Sequence, residues 1–255
     1  MKLATREYGE PGSPLLVCLH GVTSHSGRYE RLARERLGAY RVVAVDLRGH
    51  GRSGWEPPWD ADAHVADLLD TVDRPAVWMG HSFGGRLVAE LAERHPERVE
   101  RAILLDPALH IPPATALEQA EAARADAYFA DAEAYADFRF AGGTILRAPR
   151  ELVVAEVAED LVAADDAPPE TPFRVHYCRS AVIGAWSVMS RPAPAWPRCP
   201  TLVVLGEESW IKVKVPRIAT IASVVVPGGH TLLWDAFDET AAAIERFLET
   251  TGGNG

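Results

Sequence analysis

The residues with the clearest chemical potential lie in the pentapeptide Gly80-His81-Ser82-Phe83-Gly84. An apolar run precedes it and a helix-like stretch follows it, so Ser82 is predicted to stand on a sharp turn between a strand and a helix. Glycines two positions to either side permit this turn without Cβ clashes, which lifts the serine hydroxyl clear of the backbone. A serine alcohol is a weak nucleophile and needs a base to take its proton. The context therefore predicts a nucleophilic serine that requires a histidine.

Three further residues follow predicted strands and are expected at the same site. His20, Asp106 and His230 each come after a short apolar run, and His230 is preceded by a turn of proline and glycine. Active sites of parallel sheets lie at the carboxyl ends of the strands. We therefore expect these residues and Ser82 to meet at one edge of a sheet.

Short apolar runs alternate with helical patterns through most of the chain. This alternation predicts an α/β fold, a mostly parallel central sheet with helices on both faces. Asp60 is placed to cap a helix whose apolar stripe is Val65, Leu68, Leu69 and Val72. The predicted strands are residues 2–8, 15–19, 41–45, 76–79, 102–105, 201–205 and 223–226.

The alternation stops between residues 111 and 196. Three segments in this region have helical patterns and are separated by prolines: 114–138, 150–164 and 173–189. The region exceeds a single crossover of ~10–12 residues plus its loops, so we expect a helical cap over the site rather than crossover helices on one face. The predicted domains are an α/β core, 1–110 and 197–255, and a helical cap, 111–196.

The order of these motifs resembles the α/β-hydrolase superfamily, in its serine-nucleophile, esterase and lipase-like branch. The matching pieces are the turn at Ser82, His20-Gly21 after the first core strand, residues 46–53 (DLRGHGRS) after the second, and Gly229-His230 near the C-terminus. The resemblance runs from about residue 15 to residue 248. It implies the α/β-hydrolase fold and a serine hydrolase activity.

The resemblance also implies roles for individual residues. His230 would take the proton of Ser82 and later give it to the leaving group. Histidine suits both steps near neutral pH. The tetrahedral oxyanion needs preorganised donors, and we assign them to the backbone N–H groups of Val22 and Phe83. The alternative for His230 is a histidine of the core.

The carboxylate partner of the base departs from the family pattern. Many relatives carry a Gly-x-x-Asp loop after the strand predicted at 201–205, and this chain has Gly206-Glu207-Glu208-Ser209 there. A hydroxyl cannot stabilise an imidazolium as a carboxylate does. Three explanations stay open: Asp106 is the acid, Glu207 or Glu208 serves through a shifted loop, or the site is degraded. We favour Asp106, a position that some lipases and dehalogenases of the superfamily use.

Composition argues against several classes of partner. The 255 residues carry 26 Lys and Arg against 36 Asp and Glu, for a net charge of −10, and no basic tract favours nucleic acid. No apolar segment has the length of a membrane span or the pattern of a signal peptide. The three cysteines, Cys18, Cys178 and Cys199, are expected to be reduced thiols in a cytoplasmic protein.

The remaining histidines predict neither a metal site nor a cofactor. None of them has the spacing of a known ligand motif such as H-E-x-x-H, and no carboxylates join them. The segment 48–53 lacks the lysine and the glycine spacing of a phosphate loop. His20 and His81 are interpreted as structural residues that pack or form hydrogen bonds.

These observations predict a carboxylic ester hydrolase that acts on a small-molecule ester through an acyl-enzyme, with Ser82, His230 and Asp106 as its triad. A serine nucleophile excludes the aspartate-dependent dehalogenases and epoxide hydrolases. A C–C bond hydrolase, lactonase or amidase would use the same residues, and a non-catalytic small-molecule receptor is the alternative outside the enzymes. Aromatic residues of the predicted cap would line the pocket or form the cap's own core: Tyr128, Phe129, Tyr135, Phe138, Tyr177 and Trp186.

Overall fold

The computed structural model describes residues 1–250, and a seven-stranded sheet forms its centre. The strands of the chain are β1 (Thr5–Tyr8), β2 (Leu15–Leu19), β3 (Arg41–Val45), β4 (Ala76–His81), β5 (Val99–Leu105), β6 (Tyr128–Phe129), β7 (Leu161–Ala163), β8 (Phe173–Val175), β9 (Thr201–Gly206) and β10 (Ile221–Val226). The central sheet has the order β1-β3-β2-β4-β5-β9-β10. Only β1 runs antiparallel to its neighbour. All seven strands predicted from the sequence are present.

Helices cover both faces of this sheet, which explains why its strands are apolar almost throughout. The helices are α1 (Glu30–Arg36), α2 (Ala61–Thr71), α3 (Phe83–Arg94), α4 (Pro113–Ala122), α5 (Ala132–Ala141), α6 (Arg150–Val157), α7 (Arg179–Met189), α8 (Leu232–Asp235) and α9 (Phe237–Glu249). In β2, Val17 and Leu19 belong to the core under α2 and α3, whereas Leu16 and Cys18 belong to the core under α1 and α9. The predicted α/β fold class is confirmed.

The helix that precedes the central strand begins as its sequence predicts. Asp60 caps α2 by accepting a hydrogen bond from the backbone N–H of Ala63 at 2.9 Å. Val65 and Leu68 of its predicted stripe are buried in the core, and Leu69 packs against them. Local capping and periodicity therefore suffice to locate this element.

Residues 111–196, here called the insertion, contain helices α4 to α7 and also a small antiparallel sheet. Its strand order is β6-β8-β7. A separate apolar cluster fills the part around α5 and α6, made of Phe129, Tyr135, Ala136, Ile145, Val153 and Val157 together with Trp234 of α8. Helices α4 and α7 instead pack into the core of the α/β part, through residues such as Ala116 and Val188.

The prediction of an all-helical insertion is wrong in three places. The helix predicted at 114–138 is two helices, because Asp131 caps a new one by accepting from the N–H of Ala134. The ends of the helices predicted at 150–164 and 173–189 are strands β7 and β8 instead. These strands are three residues long and are held by distant partners, so no local period reveals them. The domain limits stay a prediction, and residues 251–255 of the predicted core lie outside the described residues.

Candidate active site

Ser82 lies at the turn between β4 and α3 with an unusual backbone. Its φ is 55° and its ψ is −116°, a region that side-chain-bearing residues rarely occupy. The flanking glycines make the turn possible. A Cβ on Gly80 would lie 2.3 Å from the backbone of Gly84, and one on Gly84 would lie 2.2 Å from the carbonyl oxygen of Leu19. The sequence motif therefore has the geometry that it predicts.

His230 lies between β10 and α8 and connects Ser82 to Asp106. Its Nε2 is 2.9 Å from Oγ of Ser82, and its Nδ1 is 2.6 Å from Oδ2 of Asp106. Because the carboxylate can only accept, Nδ1 carries the proton and leaves Nε2 free to accept from the serine. Asp106 is fully buried and follows β5 directly. The structure thus brings the three predicted side chains into one hydrogen-bonded chain.

Ser209, at the position where the family pattern has the acid, contacts Asp106. Its hydroxyl donates to Oδ2 at 2.5 Å and accepts from the N–H of Ile211 at 3.1 Å, while the N–H of Gly206 donates to Oδ1 at 3.2 Å. Donors around a buried carboxylate stabilise its charge. From the sequence alone, this serine is only a missing acid. Its role as a donor was hidden because the two residues are 103 positions apart.

The glutamates that were the alternative acids point elsewhere. Glu207 and Glu208 are both exposed, and Glu208 pairs with Arg147 of the insertion at 2.5 Å. In the described part of the chain, no hydrogen bond joins either glutamate to His230. A shifted loop that would bring one of them to the imidazole is not what the structure shows.

Two more histidines surround the site and stay neutral. The Nε2–H of His81 donates to the backbone carbonyl of His230 at 2.8 Å, and burial, together with the nearby His230, lowers the pKa of His81 to about 3. His20 accepts from the N–H of Leu47 at 3.0 Å and lies 2.7 Å from the carbonyl of Gly21, and burial lowers its pKa to about 4. Both orient backbone around the site and hold no charge near neutral pH.

The two predicted oxyanion donors flank the serine. The N–H of Phe83 begins α3 directly after Ser82, and Val22 lines the same cavity as Ser82. Within residues 1–250, neither N–H donates a backbone hydrogen bond. Unpaired N–H groups beside a nucleophile are available to a ligand oxygen.

A cavity of about 550 Å³ lies above Ser82 and His230. The α/β core and the insertion both line it, and most of its wall is apolar. Of the aromatic residues singled out in the sequence, five line it and Tyr128 does not: Phe129, Tyr135, Phe138, Tyr177 and Trp186. Its size is within the usual range for small-molecule sites.

Residues 1–250 also bear on the metal, membrane and cysteine expectations. No group of three or more His, Cys, Asp or Glu side chains is arranged to hold a metal ion. No helix in this range has the length and apolar character that crossing a membrane requires. All three cysteines are free thiols, as predicted.

The chain belongs to the α/β-hydrolase family. The family model described as "alpha/beta hydrolase fold" matches residues 14–237. Among curated proteins, the lipase LipV of Mycobacterium tuberculosis is 36% identical over 194 residues, which are 74% of this chain and 72% of the lipase. A pimeloyl-(acyl-carrier protein) methyl ester esterase of Chromobacterium violaceum is 42% identical over 93 residues, 36% of each chain.

A solved structure resembles the whole chain. The crystal structure of E-2-(acetamidomethylene)succinate hydrolase has a TM-score of 0.79 and 25% sequence identity, and the match covers 97% of this chain and 95% of the other. The relatives described here are a lipase, an esterase and another hydrolase. The protein is therefore a hydrolase of this family, as its motifs predicted.

Proposed function

We propose that the protein hydrolyses carboxylic esters of small to medium size through a serine acyl-enzyme. One observation carries the proposal: the continuous hydrogen-bonded chain from Ser82 through His230 to Asp106. The chain has the order nucleophile, base and acid that activates a serine for acyl transfer. The names of the relatives, a lipase and a methyl ester esterase among them, support the same chemistry.

In the first half-reaction, Oγ of Ser82 attacks the ester carbonyl carbon while Nε2 of His230 takes its proton. The carbonyl oxygen becomes an oxyanion, which accepts hydrogen bonds from the N–H groups of Val22 and Phe83. His230 then gives the proton to the departing alcohol, and the acyl group remains on the serine. Asp106 holds the Nδ1–H tautomer and stabilises the imidazolium.

In the second half-reaction, water replaces the alcohol. His230 takes a proton from the water, whose oxygen attacks the acyl carbon, and the returning proton frees Ser82. His81 next to this base stays uncharged, because burial lowers its pKa to about 3. His81 therefore adds no second positive charge beside the imidazolium as it forms.

The size of the cavity limits the range of substrates. A volume of about 550 Å³ with the insertion forming part of its wall suits a small or medium acyl chain in solution. We expect little activity on emulsified triglycerides. Strong activation at a lipid–water interface would contradict this.

The test is covalent labelling by a fluorophosphonate together with release of 4-nitrophenol from an ester. We expect peptide mapping to find the adduct on Ser82, and Ser82→Ala to lose both labelling and turnover. Ser180→Ala, which changes an exposed serine, is the control and should keep both. Labelling at another serine would defeat the assignment. A protein that neither reacts nor turns over would favour the receptor alternative.

The same residues could also hydrolyse a C–C bond, a lactone or an amide. Relative rates distinguish these: we expect kcat/KM for an ester to exceed that for the matching amide or lactone. A faster amide or lactone reaction would move the proposal to that bond.

A further inference from the structure

The charge of the cavity wall is opposite to that of the protein. The whole chain has a net charge of −10. Among the described residues, the cavity is lined by two arginines, Arg28 and Arg139, and by no aspartate or glutamate. A wall of this composition in an acidic protein attracts anions into the cavity.

The first arginine is neutralised by the protein itself. Arg28 donates to Glu156 at 3.0 Å and to Asp160 at 2.6 Å. Its guanidinium also lies over the ring of Trp234, 4.1 Å from the centroid. Two carboxylates of the insertion thus neutralise the charge of Arg28, and these ion pairs join the insertion to the α/β core.

The second arginine has no such partner. Arg139, on α5, is half-buried, and its Nη1 is 3.3 Å from the hydroxyl of Tyr135. No carboxylate of the described chain lies within 4.0 Å of it. The field of Asp160 reaches it, but that carboxylate already accepts from Arg28 and lies 3.2 Å from His25. Burial opposes the charge of Arg139, but nearby Tyr135 and Asp160 raise its pKa overall, so the guanidinium is charged and has no ion-pair partner of its own among the described residues, in a mostly apolar cavity.

The charge of Arg139 also acts on the catalytic end of the same cavity. It contributes to lowering the pKa of His81, the residue before Ser82. A ligand in the cavity would thus meet both the nucleophile and a guanidinium. The Tyr135 hydroxyl accepts from Arg139 and retains its own proton, so it adds a second donor for an anion.

We infer that Arg139 binds a carboxylate of the substrate, so that the preferred substrates are esters whose acyl part ends in a carboxylate, such as monoesters of dicarboxylic acids. The inference rests on the proposed function. A guanidinium fork matches the two oxygens of a carboxylate. One free positive charge balances one negative charge, which favours a carboxylate over a phosphate dianion.

The test compares two esters of equal chain length. 4-Nitrophenyl hydrogen adipate carries the terminal carboxylate, and 4-nitrophenyl hexanoate has a methyl group in its place. We expect Arg139→Gln to lower kcat/KM for the adipate ester by roughly 10- to 100-fold, the range of a charge-assisted hydrogen-bonded pair. For the hexanoate ester the change should stay within about threefold. Arg139→Lys should retain part of the preference, because it keeps the charge without the fork.

The matched control is Arg150→Gln, which removes a positive charge from the insertion at an exposed site paired with Glu133 and Asp137. It should change neither ester. Equal losses on both esters in a folded Arg139→Gln protein would overturn the inference. A hexanoate ester that is hydrolysed faster than the adipate ester by the unaltered protein would do the same.

Calorimetry separates this inference from the proposed function. If Ser82→Ala leaves turnover intact, the proposed function fails. The binding of adipate, measured by calorimetry, then tests the carboxylate site independently. Adipate should bind the Ser82→Ala protein, more weakly at high salt and at least tenfold more weakly after Arg139→Gln. Absent binding, binding unaffected by Arg139→Gln, or tighter binding of inorganic phosphate would each refute a carboxylate site.

Discussion

The two sides of the cavity are built differently. On the side of the α/β core, Ser82, His230 and Asp106 are all buried and joined by hydrogen bonds of 2.6 and 2.9 Å. On the side of the insertion, the charged group of the cavity wall without an ion pair among the described residues is Arg139, which is half-buried, lies 3.3 Å from the Tyr135 hydroxyl and lies near the rings of Tyr135 and Trp234. The reacting groups are thus fixed by strand ends, whereas the group proposed to select the substrate projects from a short helix. Reaction and selection can therefore change independently.

Several polar contacts join the two sides, and Asp235 accepts three of them. Oδ1 of Asp235 in α8 accepts from three consecutive backbone N–H groups of residues 146–148, and its Oδ2 accepts from the N–H of Gly229. Asp235 therefore ties the insertion to the loop that carries His230. This contact, from Asp235 to residues 146–148 and Gly229, is here called the joint.

The largest expected effect is on the core side, at the acid. Asp106→Asn should lower kcat by up to ~10⁴ with KM nearly unchanged, because the imidazole loses its tautomer and its counter-charge. Circular dichroism should report an intact fold. Steady-state kinetics on a 4-nitrophenyl ester measures the loss.

Two matched variants accompany it. Glu207→Gln and Glu208→Gln remove exposed carboxylates from the neighbouring loop and should cost less than about tenfold. If Glu207→Gln or Glu208→Gln is inactive while Asp106→Asn remains active, the acid belongs to that loop. Full activity in all three would mean that the site has no essential carboxylate.

An intermediate effect is expected at the joint. Asp235→Ala removes four accepted hydrogen bonds, so residues 142–149 should become sensitive to proteolysis and kcat/KM should fall by about tenfold. Limited proteolysis with mass spectrometry identifies the cut. Asp238→Ala, an exposed aspartate on α9, should leave both readouts unchanged. An unaltered digestion pattern for Asp235→Ala would show that the two sides are held by other contacts.

The smallest effect concerns acid stability of the core side. His64 is buried against Phe83, its ring nitrogens have no hydrogen-bond partner within residues 1–250, and burial lowers its pKa to about 4. The folded pKa lies below the unfolded value of ~6.5. Stability from the neutral form is therefore complete above pH ~6.5 and is lost as the pH falls towards 4.

His64→Leu removes this dependence. Between pH 7 and pH 5, the free energy of unfolding of the unaltered protein should fall by about 1–2 kcal/mol more than that of the variant. Urea titrations at both pH values measure the difference. His110→Gln changes an exposed histidine and should titrate like the unaltered protein. An identical loss in His64→Leu would show that the acid sensitivity arises elsewhere.

The sequence predicted the core side far better than the insertion. The inner strands of the central sheet are predictable because each is a short apolar run buried on both faces, and Ser82 is predictable because contacts near 2.2 Å require the glycines beside it. The strands of the insertion were missed because their pairing joins residues far apart, such as Tyr128 with Arg174. The roles of Ser209 and Arg139 were missed for a related reason. Each depends on which side chains are near in space, and no local pattern encodes that.

The backbone of Ser82 has a consequence for the history of such proteins. A φ of 55° with a ψ of −116° costs a residue with a side chain on the order of 1–3 kcal/mol, and glycine largely escapes this cost. A lineage that replaced the serine by glycine would lose its nucleophile and gain stability of the folded state. At this position, selection for catalytic activity therefore opposes selection for stability. Descendants that no longer need the activity would remain well folded without the nucleophile.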